Sequence, residues 1–103
     1  MRNVYHFPNG VIISIDYGFS CVRVGELRDV RYTRVCYWLP ADTTDAAATS
    51  ILTAIEAATI AEQALPSADP ARALARFVEL YGLTIGSAPS AAVTDVEEAL
   101  MRR

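Results

Sequence analysis

Arg28-Asp29-Val30-Arg31-Tyr32-Thr33-Arg34-Val35-Cys36-Tyr37-Trp38, RDVRYTRVCYW, is the stretch whose reading decides the fold. As a helix it would bring Arg28, Arg31 and Arg34 onto one face, since residues three apart are helical neighbours. With aromatics interleaved, that would be the raw material of a nucleic-acid surface. As a strand, successive side chains alternate between faces and the arginine stripe dissolves. The content of Val, Tyr, Thr and Trp favours the strand. Even-numbered Val30, Tyr32, Arg34, Cys36 and Trp38 then line one face. Odd-numbered Arg31, Thr33, Val35, Tyr37 and Leu39 line the other. Both faces are partly apolar, so one covers helices while the other meets a second layer or stays exposed.

Upstream of this stretch the period of two continues. Val4-Tyr5-His6-Phe7, then Pro8-Asn9-Gly10, then Val11-Ile12-Ile13-Ser14-Ile15-Asp16 is a hairpin signal. Proline suits the second position of a type I turn and glycine the left-handed position that follows, which predicts a three-residue loop with a glycine bulge. Tyr17-Gly18 predicts a second turn and Phe19–Val24 a third strand. Gly25–Asp29 predicts another turn, and Val30–Leu39 a fourth strand that Pro40 stops. Short connections between consecutive strands make an antiparallel meander.

Downstream of Pro40 the period changes to 3.6. Seventeen alanines crowd the second part of the chain, where they favour helix. Asp42 with Asp45 reads as an N-cap pattern, and Ile51, Leu52, Ile55 and Ala58 recur at helical spacing. Ala47, Ala48 and Ala54 would allow close backbone approach. A helix is predicted over about residues 43–64, broken by Pro66. Asp69-Pro70 is an N-cap with proline at the first helical position. Leu74, Phe77, Val78 and Tyr81 form an i, i+3, i+4, i+7 stripe, and Gly82 falls where a C′ glycine belongs. The second helix is therefore placed at about 70–81. Gly86 to Ala92 is linker-like, and Thr94-x-x-Glu97 is a capping box that opens a short C-terminal helix. The expected fold is α+β: a meander of three to four strands within 3–39, two packed helices, and a short C-terminal helix. Residues 1–86 form one domain, and 87–103 are linker and helix.

A chain of 103 residues is the size of one domain and buries enough surface for a core without metal or disulfide staples. All nine basic residues are arginine, which reads as the mark of a GC-rich genome. Residues 1–40 hold five arginines against three acids, and residues 41–103 hold four against nine, local charges of +2 and −5. That is far from the cationic bias of a nucleic-acid binder. No signal-peptide pattern and no run of eighteen apolar residues is present, so the expectation is a soluble, cytoplasmic protein.

Few residues offer chemistry. His6, with Asp16 across the hairpin and Cys21, is a nominal Cys-His-Asp set, but no nucleophile motif surrounds Cys21. His6 reads as a half-buried hairpin residue. Cys21 and Cys36 are too far apart for a CxxC site, and with one histidine they leave a zinc site a ligand short. They read as free thiols, with a cross-strand disulfide as the alternative. Neither catalysis, a cofactor nor a metal is expected. Arg23, Arg31, Tyr32, Arg34, Tyr37 and Trp38 are the candidate protein-binding residues, because Arg, Tyr and Trp are enriched at interface hot spots.

The run Asn9-Gly-Val-Ile-Ile-Ser-Ile-Asp-Tyr-Gly18, with Trp38-Leu-Pro-Ala-Asp42 before the first helix, resembles small phage and prophage proteins of uncharacterised function. In that group an NG turn leads into a serine-bearing strand and then a glycine turn. The resemblance covers about the first sixty residues. The chain departs from it in having only Tyr17-Gly18 at the second turn instead of a glycine-rich stretch. It supplies no catalytic residues. It implies a small phage-encoded accessory protein that inhibits or modulates a host protein, including components of bacterial immunity. The leading expectation is thus a non-catalytic protein-binding domain with a host partner. The alternatives are a self-associating homodimeric subunit and a small enzyme or ligand binder using His6.

Overall fold

The computed structural model describes residues 2–28 and 31–86, with Arg2, Leu27, Arg28 and residues 31–33 described by their backbone alone. Within that range the chain is an α+β fold in which strands β1 (Arg2–His6), β2 (Val11–Asp16), β3 (Cys21–Arg28) and β4 (Arg31–Trp38) form an antiparallel meander. Helices α1 (Asp45–Gln63) and α2 (Pro70–Tyr81) follow, and a two-residue strand β5 (Thr84–Ile85) returns to pair with β4. The period-two reading of residues 31–38 holds, so Arg31 and Arg34 sit at opposite parity on one strand.

The first hairpin has the predicted three-residue loop. Phe7 N–H donates to Val11 at 2.9 Å, Gly10 N–H donates to Phe7 at 3.1 Å, and Gly10 takes φ 86°. The second loop differs from expectation. Asp16 pairs with Cys21, so four residues, Tyr17 to Ser20, make the turn, and β3 begins at Cys21 rather than Phe19. The left-handed residue there is Ser20, at φ 54°. Asp16 Oδ1 accepts from Phe19 N–H at 3.1 Å and fixes the loop as an aspartate turn. The predicted turn at Gly25–Asp29 is also corrected. β3 runs on through Gly25 and Glu26, which pair with Arg34 and Thr33. A glycine in a strand reads like a turn, but the cross-strand ladder with β4 carries the chain straight through it.

α1 starts two residues later than the Asp42 pattern implied. Its N-cap is Thr44, whose Oγ1 accepts from Ala47 N–H at 3.2 Å, and Asp45 lies in the first turn, where the helix dipole favours a carboxylate. α2 is capped as read: Asp69 Oδ1 accepts from Ala71 N–H at 3.0 Å, Pro70 opens the helix, and Gly82 closes it at φ 64° with its N–H on Val78.

Antiparallel partners share a face, so the sheet sorts into two surfaces. The rows Tyr5–Ile13–Val24–Val35 and Asn3–Ile15–Val22–Tyr37–Ile85 lie on one. Both helices pack there, where Ile13, Ile15 and Val22 meet Leu52 and Ile55 of α1 and Phe77 of α2 in one core with Phe7, Leu39 and Leu83. Each such aliphatic or aromatic side chain removed from water contributes about 1.5–3 kcal/mol. Two expectations shift within the helices. Ala48 is buried, but Ala47, Ala54 and Ala58 are exposed, and the buried line of α1 runs Ala48, Leu52, Ile55, Thr59. In α2 the buried line is Pro70, Ala73 and Phe77, with Leu74 and Val78 to one side. The predicted stripe thus straddles the edge of the core. Thr59 is a fully buried polar residue, satisfied by donating its hydroxyl to the Ile55 carbonyl at 2.8 Å.

The linker-like reading of Gly86 meets an ordered start, because β5 pairs Ile85 with Tyr37 and Thr84 with Trp38. The short C-terminal helix and the linker expected after residue 86 lie outside the described residues.

Candidate functional site

Three places gather side chains of interest. The first is a groove of about 540 Å3 between α2 and the β4–β5 edge, walled chiefly by Tyr37, Leu74, Val78, Leu83 and Ile85. Ala71 and Ala75 complete its α2 wall, and their small side chains leave it open. Ile85 is 62% exposed at its rim. The groove exists because α1 packs over β1 and β2 while β5 is only two residues long, so the sheet edge beside α2 has no further layer among the described residues.

The second lies between α1 and the sheet. Glu56 of α1 accepts from Asn3 Nδ2 at 2.5 Å and Tyr5 Oη at 2.7 Å on one oxygen, and from Tyr17 Oη at 2.9 Å on the other. The tyrosine hydroxyl, then the amide and second hydroxyl, hold its carboxyl below the ordinary glutamate range. In return, the hydrogen bond to Glu56, with burial, pushes Tyr5 up to about 12. Burial is the largest cause raising Tyr17. A carboxylate with three donors is a clamp between layers. Both of its oxygens are engaged, and the tyrosines stay protonated, which suits fastening better than proton transfer.

The third is the opposite face of the sheet, where Ser14, Asp16, Cys21, Arg23, Cys36 and Trp38 sit together. Arg23 Nη1 is bonded to Asp16 Oδ2, both side chains are buried, and Arg23 also lies 5.6 Å from the Phe19 ring centroid. Burial pushes the Cys21 thiol up to about 12. Cys21 pairs with Trp38 and not with Cys36, so the two cysteines are diagonal neighbours, and both are free thiols.

The six sequence-predicted binding residues are divided between these places. Arg23 and Trp38 are buried, with Trp38 Nε1 donating to the Gly86 carbonyl at 2.5 Å. Arg34 is exposed on the same face. Tyr37 belongs to the helix-bearing face and lines the groove. Arg31 and Tyr32 belong to β4, with their side chains outside the described set. The nominal His6–Asp16–Cys21 set is not assembled. His6 pairs with Ile12 and Asp16 with Arg2, four residues apart along the hairpin, or roughly 13 Å at strand rise. Among the described residues no group of three or more His, Cys, Asp or Glu is placed to hold a metal, and no helix is long and apolar enough to cross a membrane.

Sequence reasoning missed the Glu56 clamp and the groove. The clamp had one legible trace, a lone acid on the apolar side of α1 one residue after Ile55. The groove had none, because it depends on where β5 returns. Comparison with family models, curated proteins and solved structures found no match to this chain.

Proposed function

We propose that this chain is a protein-binding domain that works through the apolar groove between α2 and the β4–β5 edge. The observation that carries this reading is the groove itself: about 540 Å3, walled by Tyr37, Leu74, Val78, Leu83 and Ile85, and open at a sheet edge. Its size falls within the range of about 300–1,000 Å3 of ligand-holding clefts, and its apolar walls suit an inserted apolar anchor side chain. Among the described residues β5 pairs with Tyr37 and Trp38 and the Gly86 N–H takes the Cys36 carbonyl, which leaves the β4 edge before Cys36 as a place for strand addition. The polar groups suited to chemistry are committed elsewhere: Glu56 to three donors, Asp16 to Arg23 and the Phe19 amide. The resemblance of residues 9–18 to small phage proteins supplies the finer form of the reading, a phage-encoded modulator of a host protein, with the groove as its contact surface.

The test uses the full chain as bait in a bacterial host lysate, as wild type, Ile85→Arg, Leu74→Arg and, on the far face, Val4→Arg. The expected result is a protein retained by wild type and Val4→Arg and lost by the two groove variants, with all four folded by circular dichroism. Retention indifferent to both groove substitutions would refute the reading. A native mass of twice the chain that reverts on Ile85→Arg would make the groove's occupant a second copy.

A further inference from the structure

The last strand of the sheet stops short of its neighbour. β5 pairs with Tyr37 and Trp38, Gly86 N–H donates to the Cys36 carbonyl at 3.0 Å, and at Gly86 the backbone bends out of the strand with φ 111°. Backbone groups along an antiparallel strand point to alternate sides. Those of Cys36 point towards β5, so those of Arg34 and Tyr32 point to the same outer side, where no strand pairs with them among the described residues. Those of Thr33 and Val35 point inward to β3, opposite Glu26 and Val24.

The two faces beside this edge differ in chemistry. On the helix-bearing face Val35 is 39% exposed, next along β4 from Tyr37 and Ile85 at the groove's rim. On the other face Arg34 is exposed and has no ion pair among the described residues. Around it, residues 28–34 hold three arginines against one aspartate.

From this register and charge, and resting on the groove as the binding surface, we propose that the partner joins the sheet as an added strand. The occupant is an extended segment of a partner protein, antiparallel to β4 and in line with β5, in which apolar and acidic residues alternate. Its residue opposite Val35 falls on the helix-bearing face, about 7 Å along from Ile85, where an apolar side chain continues the groove's wall. Its residue opposite Arg34 falls on the other face, where a carboxylate meets the exposed guanidinium. Opposite charges on directly opposed residues favour a strand pair, and like charges disfavour it. Main-chain bonds to Arg34 and Tyr32 supply affinity, and the alternating side chains supply choice. A second copy fits worse, because joining two β4 edges sets one cationic run against another. Edge arginines thus guard the edge against self-pairing and leave it open to an acidic strand.

The probe is an array of blocked octapeptides in which leucine alternates with glutamate, serine or arginine, bound to the full chain. Glutamate peptides are expected to be retained over serine ones, and arginine ones not at all. Arg34→Glu, folded by circular dichroism, is expected to lose about tenfold or more in affinity for the glutamate peptides and to gain the arginine ones. At saturating glutamate peptide, amide exchange of Tyr32 and Arg34 is expected to slow by about tenfold or more, while that of Thr33 and Val35, already bonded to β3, stays as it was. An array with no retained class, a charge preference unchanged by Arg34→Glu, or exchange at Tyr32 and Arg34 indifferent to the peptide would overturn the inference, with the groove itself still decided by the lysate experiment. A native mass of twice the chain that reverts on Arg34→Glu would overturn it in favour of a second copy. Glutamate peptides held equally by wild type and Ile85→Arg would sustain the added strand and overturn the groove reading alone.

Discussion

Removing the Asp16 carboxylate is the perturbation that separates a covered sheet face from an open one. Asp16 accepts from buried Arg23 with one oxygen and from the Phe19 amide with the other. The two side chains are 8% and 3% exposed. In an exposed pair the attraction is screened, and its loss costs about 0–1 kcal/mol. Here Asp16→Ala strands a guanidinium out of water, with Nε already unpartnered, and that class of change costs about 3–5 kcal/mol. For a domain of this size the whole folding free energy is about 5–15 kcal/mol, and each kcal/mol moves the melting temperature by about 4–8 °C. The expected drop for Asp16→Ala is therefore about 12 °C or more. Asp16→Asn, which keeps an acceptor for Phe19, is expected to lose most of the same free energy, since the missing charge dominates. Asp16→Asn combined with Arg23→Met should recover much of it, because a buried pair replaced by apolar atoms is near neutral. Urea titration followed by circular dichroism gives all four free energies, and equal slopes keep the comparison valid. A loss below about 1 kcal/mol for Asp16→Ala would match a solvated pair and refute the argument.

The Glu56 clamp predicts the acid limb of stability. Its folded pKa is lowered, so its contribution is present above the unfolded value of about 4.3 and fades as pH falls through the folded value. Glu56→Gln is expected to cost about 1–2 kcal/mol at neutral pH, with the gap to wild type closing in acid; a gap constant down to low pH would contradict this. At the alkaline end Tyr5 and Cys21 are both raised to about 12, so their contribution is full below their unfolded values of about 10 and 8.5 and falls as pH rises towards 12. Tyr5→Phe is expected to flatten that decline, and an unchanged pH profile would count against the Glu56 contact. Phe77→Ala, at a 3% exposed core position, is expected to destabilise by about 3–5 kcal/mol, while Leu74→Ala on the groove wall should cost clearly less. Equal costs would place Leu74 in the core. Titration with duplex and single-stranded nucleic acid is expected to show no tight binding at physiological salt. Tight binding that falls steeply with added salt would be counterion release and would reverse the preference for a protein partner.

The sequence by itself determined the element types, because they follow from local period and local chemistry. Residues 31–38 are rich in β-branched and aromatic types, so they pair as a strand, and Asp69-Pro70 with Gly82 bracket α2 to the residue. The Pro8-Asn9-Gly10 loop was legible for the same reason: the left-handed φ at Gly10 is a property of three adjacent residues. Where the reading slipped, a longer-range partner outweighed a local preference. Gly25 stayed in β3 because β4 supplies a ladder, and Thr44 rather than Asp42 capped α1 because the chain still turns at 41–42. Which residues of each apolar set are buried was decided only in three dimensions. Arg23 and Trp38 have the composition of an interface and yet are buried, since their burial depends on what lies across the sheet. The Glu56 clamp joins residues 39 to 53 positions apart, and the groove depends on two residues of β5 returning to β4. Contacts of that range carry no period along the chain, so only the packed layers could reveal them.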